Sequence, residues 1–188
     1  MYPKNGANPL KEESILMGEL EPTNEGYALA KVAATRLCEY IAKENPELYY
    51  KTIIPCNLYG KYDKFGLENS HMIPAIIKKI AEAHEQGNNV SIWGDGHARR
   101  EFMYAGDLAE FIFYILNDLE SMPQNINVGL GRDYSINEYY KEVADILGYQ
   151  GQFEHDLSKP VGMKQKLIDD TNLRKIGWKY KTPLKEGL

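Results

Sequence analysis

The sequence has few cysteines, no long apolar run and no excess of positive charge. Its two cysteines, Cys38 and Cys56, are too few for a disulfide framework and lack the spacing of metal ligands. No apolar run approaches the ~20 residues of a membrane span. The net charge of -5 at pH 7 argues against a protein that binds nucleic acid through its phosphates. These absences predict a cytoplasmic protein with no metal site, no membrane span and no nucleic-acid partner.

The composition is otherwise that of a folded domain. Hydrophobic residues make up 43% of the 188 residues and charged residues 26%, near the averages for globular proteins. This length suits one domain, or one domain and part of another. We therefore expect a chain that buries a real core without disulfides.

Helical patterns alternate with short apolar segments along the chain. Thr23 or Asn24, Asp107 and Ser135 are predicted helix caps, and Glu138 completes a capping box with Ser135. This alternation predicts an α/β fold with a largely parallel sheet. The predicted helices cover 24–44, 70–84, 108–119, 135–147 and 171–176, with another beginning near 183; the predicted strands cover 49–55, 90–93, 99–105 and 126–128, with further ones near 153 and at 167–168.

The sequence lacks the usual opening of a doubly wound sheet, which is a strand, a glycine-rich loop and a helix. Gly129-Leu130-Gly131 does not replace it, because this run has no third glycine and follows the wrong strand. Within the first predicted helix, apolar side chains recur at helix-like spacing at Ala28, Val32, Leu37, Tyr40 and Ile41, and Cys38 is expected to pack into the core. The segment 57–69 is expected to be a loop. The chain is therefore predicted to be the later part of a larger α/β protein.

Tyr27 and Lys31 stand four residues apart near the start of the first predicted helix, so their side chains share one face. A lysine cation beside a tyrosine favours the phenolate, which makes the hydroxyl a better general acid. Tyrosine and lysine are abundant here, and without context an exposed helical pair explains the spacing better than a catalytic pair does. Other sequence blocks supply that context.

The block LEPTNEGYALAKVAATRLCE around this pair resembles the active-site helix of the extended short-chain dehydrogenase/reductase family. Further blocks, which follow one another in the same order along the chain, resemble the GDP-L-fucose synthase group of that family. They are YPKNGANPLKEE, IIPCNLYGKYDKFGLENSHMIPAII, IWGDGHARREFMYAGDLAEFI, INVGLGRDYSI and SKPVGMKQKLID. The resemblance spans essentially the whole chain.

The resemblance implies the C-terminal part of an extended short-chain dehydrogenase, which is the end of a Rossmann-like parallel sheet plus a small α/β substrate domain. Residues 1–60 would be the remnant of the NADP-binding domain. Residues 61–188 would mainly bind substrate, with 107–130 returning to the first domain. The family's GxxGxxG loop and its catalytic serine and cysteine are absent from this sequence, so tight NADP binding and activity are not expected of this chain alone.

The resemblance also implies site residues. Tyr27 would protonate the C4 oxygen of a keto-sugar while NADPH delivers hydride, and Lys31 would assist it and touch the nicotinamide ribose. His71 would serve epimerisation at C3 and C5 and lie near the cofactor, although a lone histidine is more often a helix cap. NADP would also lie along Pro55, Cys56, Asn57 and Leu58.

The substrate implied by the resemblance is a GDP-sugar, which needs cations for its diphosphate and a flat partner for its base. Lys79, Trp93, Arg100 and Lys166 match substrate-binding positions of the family. Val161 is a departure, because the family commonly has aspartate there. The complete enzyme is expected to be a homodimer.

Three interpretations of function remain open from the sequence. The first is a GDP-L-fucose synthase-like epimerase-reductase, of which this chain is a part. The second is a reductase or epimerase of a related GDP-4-keto-deoxysugar, such as a heptose, for which Val161 leaves room. The third is a non-catalytic module that binds nucleotide-sugars.

Overall fold

A computed structural model describes residues 1–66, 70–159 and 161–188. Parts of two quoted blocks, at 67–69 and at Pro160, lie outside the described residues. The helices are α1 Glu25–Glu44, α2 Met72–Gln86, α3 Ala105–Leu116, α4 Ile136–Leu147, α5 Thr171–Ile176 and α6 Leu184–Gly187. The strands are β1 Thr52–Pro55, β2 Asn57–Tyr59, β3 Val90–Trp93, β4 Arg99–Arg100, β5 Phe102–Tyr104, β6 Asn125–Val128, β7 Tyr134–Ser135, β8 Phe153–Asp156 and β9 Gln165–Lys166.

Strand pairing is mostly parallel, which confirms the predicted fold class. The strand β1 pairs with β6, β2 with β5 and β3 with β8, all in parallel. The short strand β4 lies between β7, which is antiparallel, and β9, which is parallel. Parallel neighbours need long crossover connections, and the helices between the strands supply them.

Apolar side chains form two clusters. The first joins the β1–β6 pair to α3 and the N-terminal segment, and includes Ile54, Phe111 and Ile126. The second lies between α2 and α4 and includes Ile76 and Tyr139. The boundaries drawn above between two domains stay a prediction.

The N-terminal segment packs firmly although it has little regular structure. Leu10 is fully buried and bridges to Ile168. The buried Asn127 accepts a hydrogen bond from the Tyr2 hydroxyl and donates one to the Leu10 carbonyl at 2.9 Å. These contacts fix the start of the chain against the first cluster.

Some helix ends have the caps that the local sequence predicts, and others do not. Ser135 and Glu138 form the predicted capping box, since each side chain accepts from the other residue's amide. The prediction that Thr23 or Asn24 caps α1 is wrong at the side-chain level, because Asn24 occupies the cap position without a side-chain bond.

Asp107 is not a helix cap. The helix α3 begins at Ala105, and the buried Asp107 carboxylate accepts from the backbone amides of Lys181 and Thr182 at 3.3 and 3.1 Å. The predicted strand 99–105 is broken into β4 and β5 and ends one residue earlier than predicted.

The helix α1 is more exposed than its pattern predicts. Its buried residues are Ala28, Val32 and Thr35, whereas Leu37 and Tyr40 are exposed. Cys38 is only half-buried, so its predicted place in the core is wrong. The predicted strand 49–55 forms only over β1, and the predicted loop after it contains β2. Among the described residues, no helix is both long and apolar enough to cross a bilayer.

Candidate active site

The chain passes from one sheet to the next between β1 and β2. The Cys56 amide donates to the Val128 carbonyl at 2.9 Å, while Asn57 already pairs with Phe102 of β5. Burial, with the nearby Glu101 carboxylate, raises the pKa of the Cys56 thiol. A buried thiol that holds its proton is a poor nucleophile, so Cys56 is not suited to replace the family's catalytic cysteine. Pro55 and Leu58 lie on either side, at the end of β1 and within β2.

Asn57 connects the predicted cofactor side of the site to the predicted substrate side. Its Nδ2 donates to the Glu101 carbonyl at 2.8 Å, and its Oδ1 accepts from Lys166 Nζ at 3.5 Å. Both polar atoms of this side chain therefore have protein partners.

Arg100 and Lys166 lie directly opposite each other on the paired strands β4 and β9. Burial lowers the pKa of both side chains, and the Arg100 charge lowers that of Lys166 further. The Arg100 guanidinium donates to the carbonyls of Arg99 and Val161 at 2.8 and 3.5 Å. Like charges opposite each other across a sheet are unfavourable, so the fold brings two cations together at an energetic cost.

Glu101 follows Arg100 and is completely buried. Its carboxylate accepts from the amides of Leu130, Gly131 and Ile168 at 2.6, 2.9 and 3.1 Å. Burial raises the pKa of Glu101 to about 7, although these three donors favour the ionised form.

Trp93 ends β3 and is 56% exposed. The ammonium nitrogens of Lys79 and Lys159 lie 5.2 and 5.6 Å from its ring centroid, within cation–π distance. Lys79 Nζ also donates to the Ser91 carbonyl at 3.3 Å, and burial lowers the pKa of Lys79. An exposed indole flanked by two cations is suited to a flat base that carries phosphates.

His71 occupies the position before α2 but makes no side-chain capping bond. Its Nδ1 lies 3.2 Å from Oδ1 of Asp63. The His71 side chain is 77% exposed, whereas that of Asp63 is 15% exposed. Because Asp63 engages Nδ1, proton transfer by this imidazole would use Nε2.

Tyr27 and Lys31 share one face of α1, as their spacing predicts. Lys31 Nζ lies 5.5 Å from the centroid of the Tyr27 ring. The Tyr27 side chain is exposed, so its hydroxyl is open to a ligand.

The candidate residues thus form separate groups. One contains Asn57, Arg100 and Lys166 with Cys56; the others are Trp93 with Lys79, His71 with Asp63, and Tyr27 with Lys31. Within the parts of the chain that the structure describes, no side-chain hydrogen bond or ion pair joins one group to another. The catalytic and binding roles of these residues stay predictions.

Three residues that contact the predicted site residues were not singled out from the sequence. Lys159 lies in the turn after β8, and only the pairing of β8 with β3 places this turn beside Trp93. Asp63 contacts His71 through a loop that has no periodic pattern. Glu101 follows two arginines in a short strand region, and only the long-range amide bonds identify it.

Within the described residues, neither the cavities nor groups of possible metal ligands give another candidate site. A cavity of about 240 Å³ is lined partly by Glu12, Arg36 and Asn125 and contains none of the predicted site residues. A smaller one of about 60 Å³ lies between Tyr59 and Ile77. We place the candidate site at Arg100 and Lys166, because two adjacent cations favour an anionic ligand. The residues that line the two cavities give no comparable preference. Over 1–66, 70–159 and 161–188, no group of three or more His, Cys, Asp or Glu side chains is placed to hold a metal ion.

Two curated proteins similar to this chain are named as synthases of GDP-linked sugars. The chain is 64% identical over 189 residues to GDP-L-colitose synthase of Yersinia pseudotuberculosis and 51% identical over 189 residues to GDP-L-fucose synthase of Azorhizobium caulinodans. Both matches cover 100% of this chain, and 61% and 60% of the relatives. The chain therefore spans about 60% of the length of the curated relatives it matches.

A solved structure agrees with these similarities. The GDP-mannoheptose C4 reductase from Campylobacter jejuni, solved with NADP bound, superposes with a TM-score of 0.85 at 29% identity. The match covers 99% of this chain and 64% of that one.

The matching family is described as the NAD dependent epimerase/dehydratase family, over residues 1–129. The resemblance inferred from the quoted blocks is confirmed, and so is the Rossmann-type fold class. The chain belongs to the NAD dependent epimerase/dehydratase family.

Proposed function

We propose that this chain forms the GDP-sugar-binding and proton-donating part of an NADPH-dependent epimerase-reductase, which converts GDP-4-keto-6-deoxy-mannose to GDP-L-fucose. The observation that carries the proposal is the pairing of Arg100 with Lys166 on adjacent strands. The similarity to a GDP-L-fucose synthase over the whole chain supports the choice of nucleotide.

The paired cations suit a diphosphate. An arginine fork can bind phosphate oxygens in a bidentate manner, and a lysine supplies a point charge beside it. A bound dianion would remove the repulsion between Arg100 and Lys166. The exposed Trp93 ring then offers a stacking surface for guanine, with the flanking Lys79 close enough to favour phosphate.

Tyr27 and Lys31 supply the proton for reduction in this proposal. The exposed Tyr27 hydroxyl and the Lys31 ammonium would hold the ribose at the nicotinamide end of NADPH, which would supply hydride when bound. Tyr27 donates its proton to the C4 oxygen of the ketone, and Lys31 stabilises the phenolate that remains. Asn57 would contribute mainly its backbone, since its side-chain amide already has protein partners.

His71 acts as the acid that returns a proton to C3 and C5 before reduction, and the base that removes a proton from the opposite face is the family's catalytic cysteine, which this sequence lacks. These carbons lie next to the ketone, so their hydrogens are acidic enough for this exchange, and an imidazole can supply the returning proton near neutral pH. The contact from Asp63 to Nδ1 orients the ring and leaves Nε2 to exchange the proton.

A second candidate function keeps the mechanism of reduction and changes the sugar. Identity is higher to a GDP-L-colitose synthase, at 64%, than to a GDP-L-fucose synthase, at 51%. Val161, whose carbonyl accepts from Arg100, replaces the aspartate expected there. Both observations favour another GDP-linked keto-deoxysugar. In this alternative the reduction by Tyr27 and Lys31 is kept and the epimerisation step is not required.

Calorimetry with GDP as the probe tests the proposed site on this chain. Arg100→Gln and Lys166→Met should each weaken GDP binding by roughly tenfold to a hundredfold, because each removes a charge-assisted contact. Lys175→Met is the control, since Lys175 lies on α5 and bonds to Asn172 instead. Wild-type protein that fails to bind GDP, or variants that bind as wild type does, would contradict the proposal. GDP binding with no turnover by the complete protein would favour a non-catalytic binding module.

The expected homodimer and cytoplasmic location also remain proposals. Exposed apolar side chains on α1 and α3, among them Leu37, Phe113 and Leu116, support an interface that a partner subunit covers. Analytical ultracentrifugation of the complete enzyme tests the dimer.

A further inference from the structure

The three amides that bind Glu101 come from two distant parts of the chain. Leu130 and Gly131 belong to the loop between β6 and β7, and Ile168 follows β9. The Glu101 backbone carbonyl accepts from Asn57 as well. One buried residue therefore connects the loop after β6, the segment after β9 and the start of β2.

The run Gly129-Leu130-Gly131 is built around this carboxylate. A Cβ at Gly129 would lie 2.5 Å from Glu101 Oε1 and 2.9 Å from the Ile168 side chain. Gly131 has φ of +65°, a left-handed conformation that glycine adopts without strain. The two glycines thus let consecutive amides point at one carboxylate oxygen. This glycine run, which is not a dinucleotide fingerprint, serves a buried acid of the protein itself.

Glu101 is close to both paired cations. It directly follows one of them in sequence, and one of its amide donors lies shortly after the other. Arg100 precedes Glu101 directly, and Lys166 lies two residues before Ile168.

The segment 167–169 is also bonded to Leu10 and Asn8. The Glu101 contact adds to these, and we expect its loss to loosen the end of β9, on which Lys166 lies opposite Arg100. We propose that Glu101 is a positioning residue, which holds Lys166 opposite Arg100 so that the pair can bind the diphosphate of a nucleotide-sugar. This inference rests on the proposed function.

A negative charge near an anion site could also act simply as a counter-charge. Glu101 is close enough to raise the pKa of Lys166, against the larger effect of burial. Removal of a simple counter-charge would tighten the binding of an anion. Removal of a positioning residue would weaken it. The sign of the change in affinity therefore separates the two roles.

Glu101→Gln tests this sign by calorimetry with GDP at pH 8, above the pKa of about 7 of Glu101. The variant keeps the shape of the side chain but presents an amide NH₂ to a backbone donor, so we expect GDP binding about five- to tenfold weaker. Asp107→Asn is the matched control, because Asp107 is also a buried carboxylate that accepts two backbone amides, at Lys181 and Thr182. It should leave GDP affinity unchanged. Equal or tighter GDP binding by Glu101→Gln would overturn the positioning role.

A double-mutant cycle shows whether Glu101 acts through Lys166. In a Lys166→Met background, Glu101→Gln should change GDP affinity less than about twofold, because the cation it positions is gone. A general loss of packing would instead weaken binding by the same factor in both backgrounds and would overturn the inference.

Gly129→Ala is a second variant that keeps the charge and disturbs the same contact from the loop side. It should weaken GDP binding in the same Lys166-dependent manner, and it decides the matter if Glu101→Gln does not fold. Wild-type protein without GDP affinity would overturn the proposed function, whereas wild-type affinity that neither variant weakens would overturn only the positioning role.

Discussion

The two pairs that carry the proposed chemistry are assembled in different ways. Tyr27 and Lys31 lie one turn apart on the exposed surface of α1 and depend only on that helix. Arg100 and Lys166 lie on two-residue strands and meet only because β4 pairs with β9. The first pair is local and open to solvent. The second is non-local, and the pKa of each of its members is lowered by burial.

This difference separates what each pair can do. A proton donor must reach the reacting oxygen and benefits from exposure, whereas a charged clamp gains strength where water is excluded. Loss of the local pair should thus affect turnover, and loss of the non-local pair should affect affinity.

The largest expected effect is on the local pair. In the complete enzyme, Tyr27→Phe should lower the rate of reduction by about 10²- to 10⁴-fold, because the transition state loses its proton donor. GDP-sugar affinity should stay within about twofold, since the diphosphate contacts are elsewhere. Stopped-flow measurement of NADPH oxidation gives the rate. Tyr40→Phe is the control on the same helix, where Tyr40 is also exposed. A Tyr27→Phe enzyme with near-normal turnover would mean that the proton comes from another group.

His71 adds a third case to this comparison, because the orientation of its ring depends on a contact with Asp63 in the loop before α2. His71→Asn in the complete enzyme should slow deuterium uptake at C3 and C5 from heavy water by about a hundredfold. Reduction of the unepimerised ketone should continue, which shifts the product ratio. His84→Asn, at the exposed end of α2, is the control.

Mass spectrometry of the product reads out both quantities. If wild-type enzyme takes up no deuterium at either carbon, reduction occurs without epimerisation and the second candidate function is favoured. If His71→Asn exchanges at the wild-type rate, His71 has no part in the proton transfer.

Local sequence was sufficient for much of the fold. The capping box at Ser135 and the apolar stripe of α2 predict their helices, because both depend on residues three or four apart. The same reasoning failed where distant segments decide the structure. Asp107 has the sequence position of a cap but is buried against Thr182. The pattern of α1 predicts a buried face for Leu37, which is exposed.

The candidate site divides in the same way. Spacing alone brings Tyr27 to Lys31, although only the family resemblance suggested that the pair is functional. Arg100 and Lys166 were named through the resemblance, because strands of two residues leave no periodic signal. Glu101 was not singled out, since its three amide donors lie far along the chain.

The smallest expected effect is on stability rather than on turnover, and it depends on pH. The pKa of Glu101 is about 7 in the folded chain, against 4.5 as its ordinary value, so the folded state binds this proton more tightly. Its contribution to stability is present below pH 4.5 and is lost as the pH rises through 7, with a limit of about 3 kcal/mol. Glu101→Gln lacks this contribution.

Urea unfolding at several pH values measures that effect. The difference in the free energy of unfolding between wild type and Glu101→Gln should move against wild type between pH 4.5 and 7.5. A pH-independent difference would mean that Glu101 titrates at its ordinary pKa, as a solvated carboxylate would.

The central claim is that the non-local pair binds the diphosphate of a GDP-sugar, and a crystal structure of this chain with GDP tests it most directly. The account predicts phosphate oxygens within about 3 Å of the Arg100 guanidinium and the Lys166 ammonium, with guanine against the Trp93 ring. A diphosphate bound in the cavity beside Arg36, or one that contacts neither Arg100 nor Lys166, would contradict it.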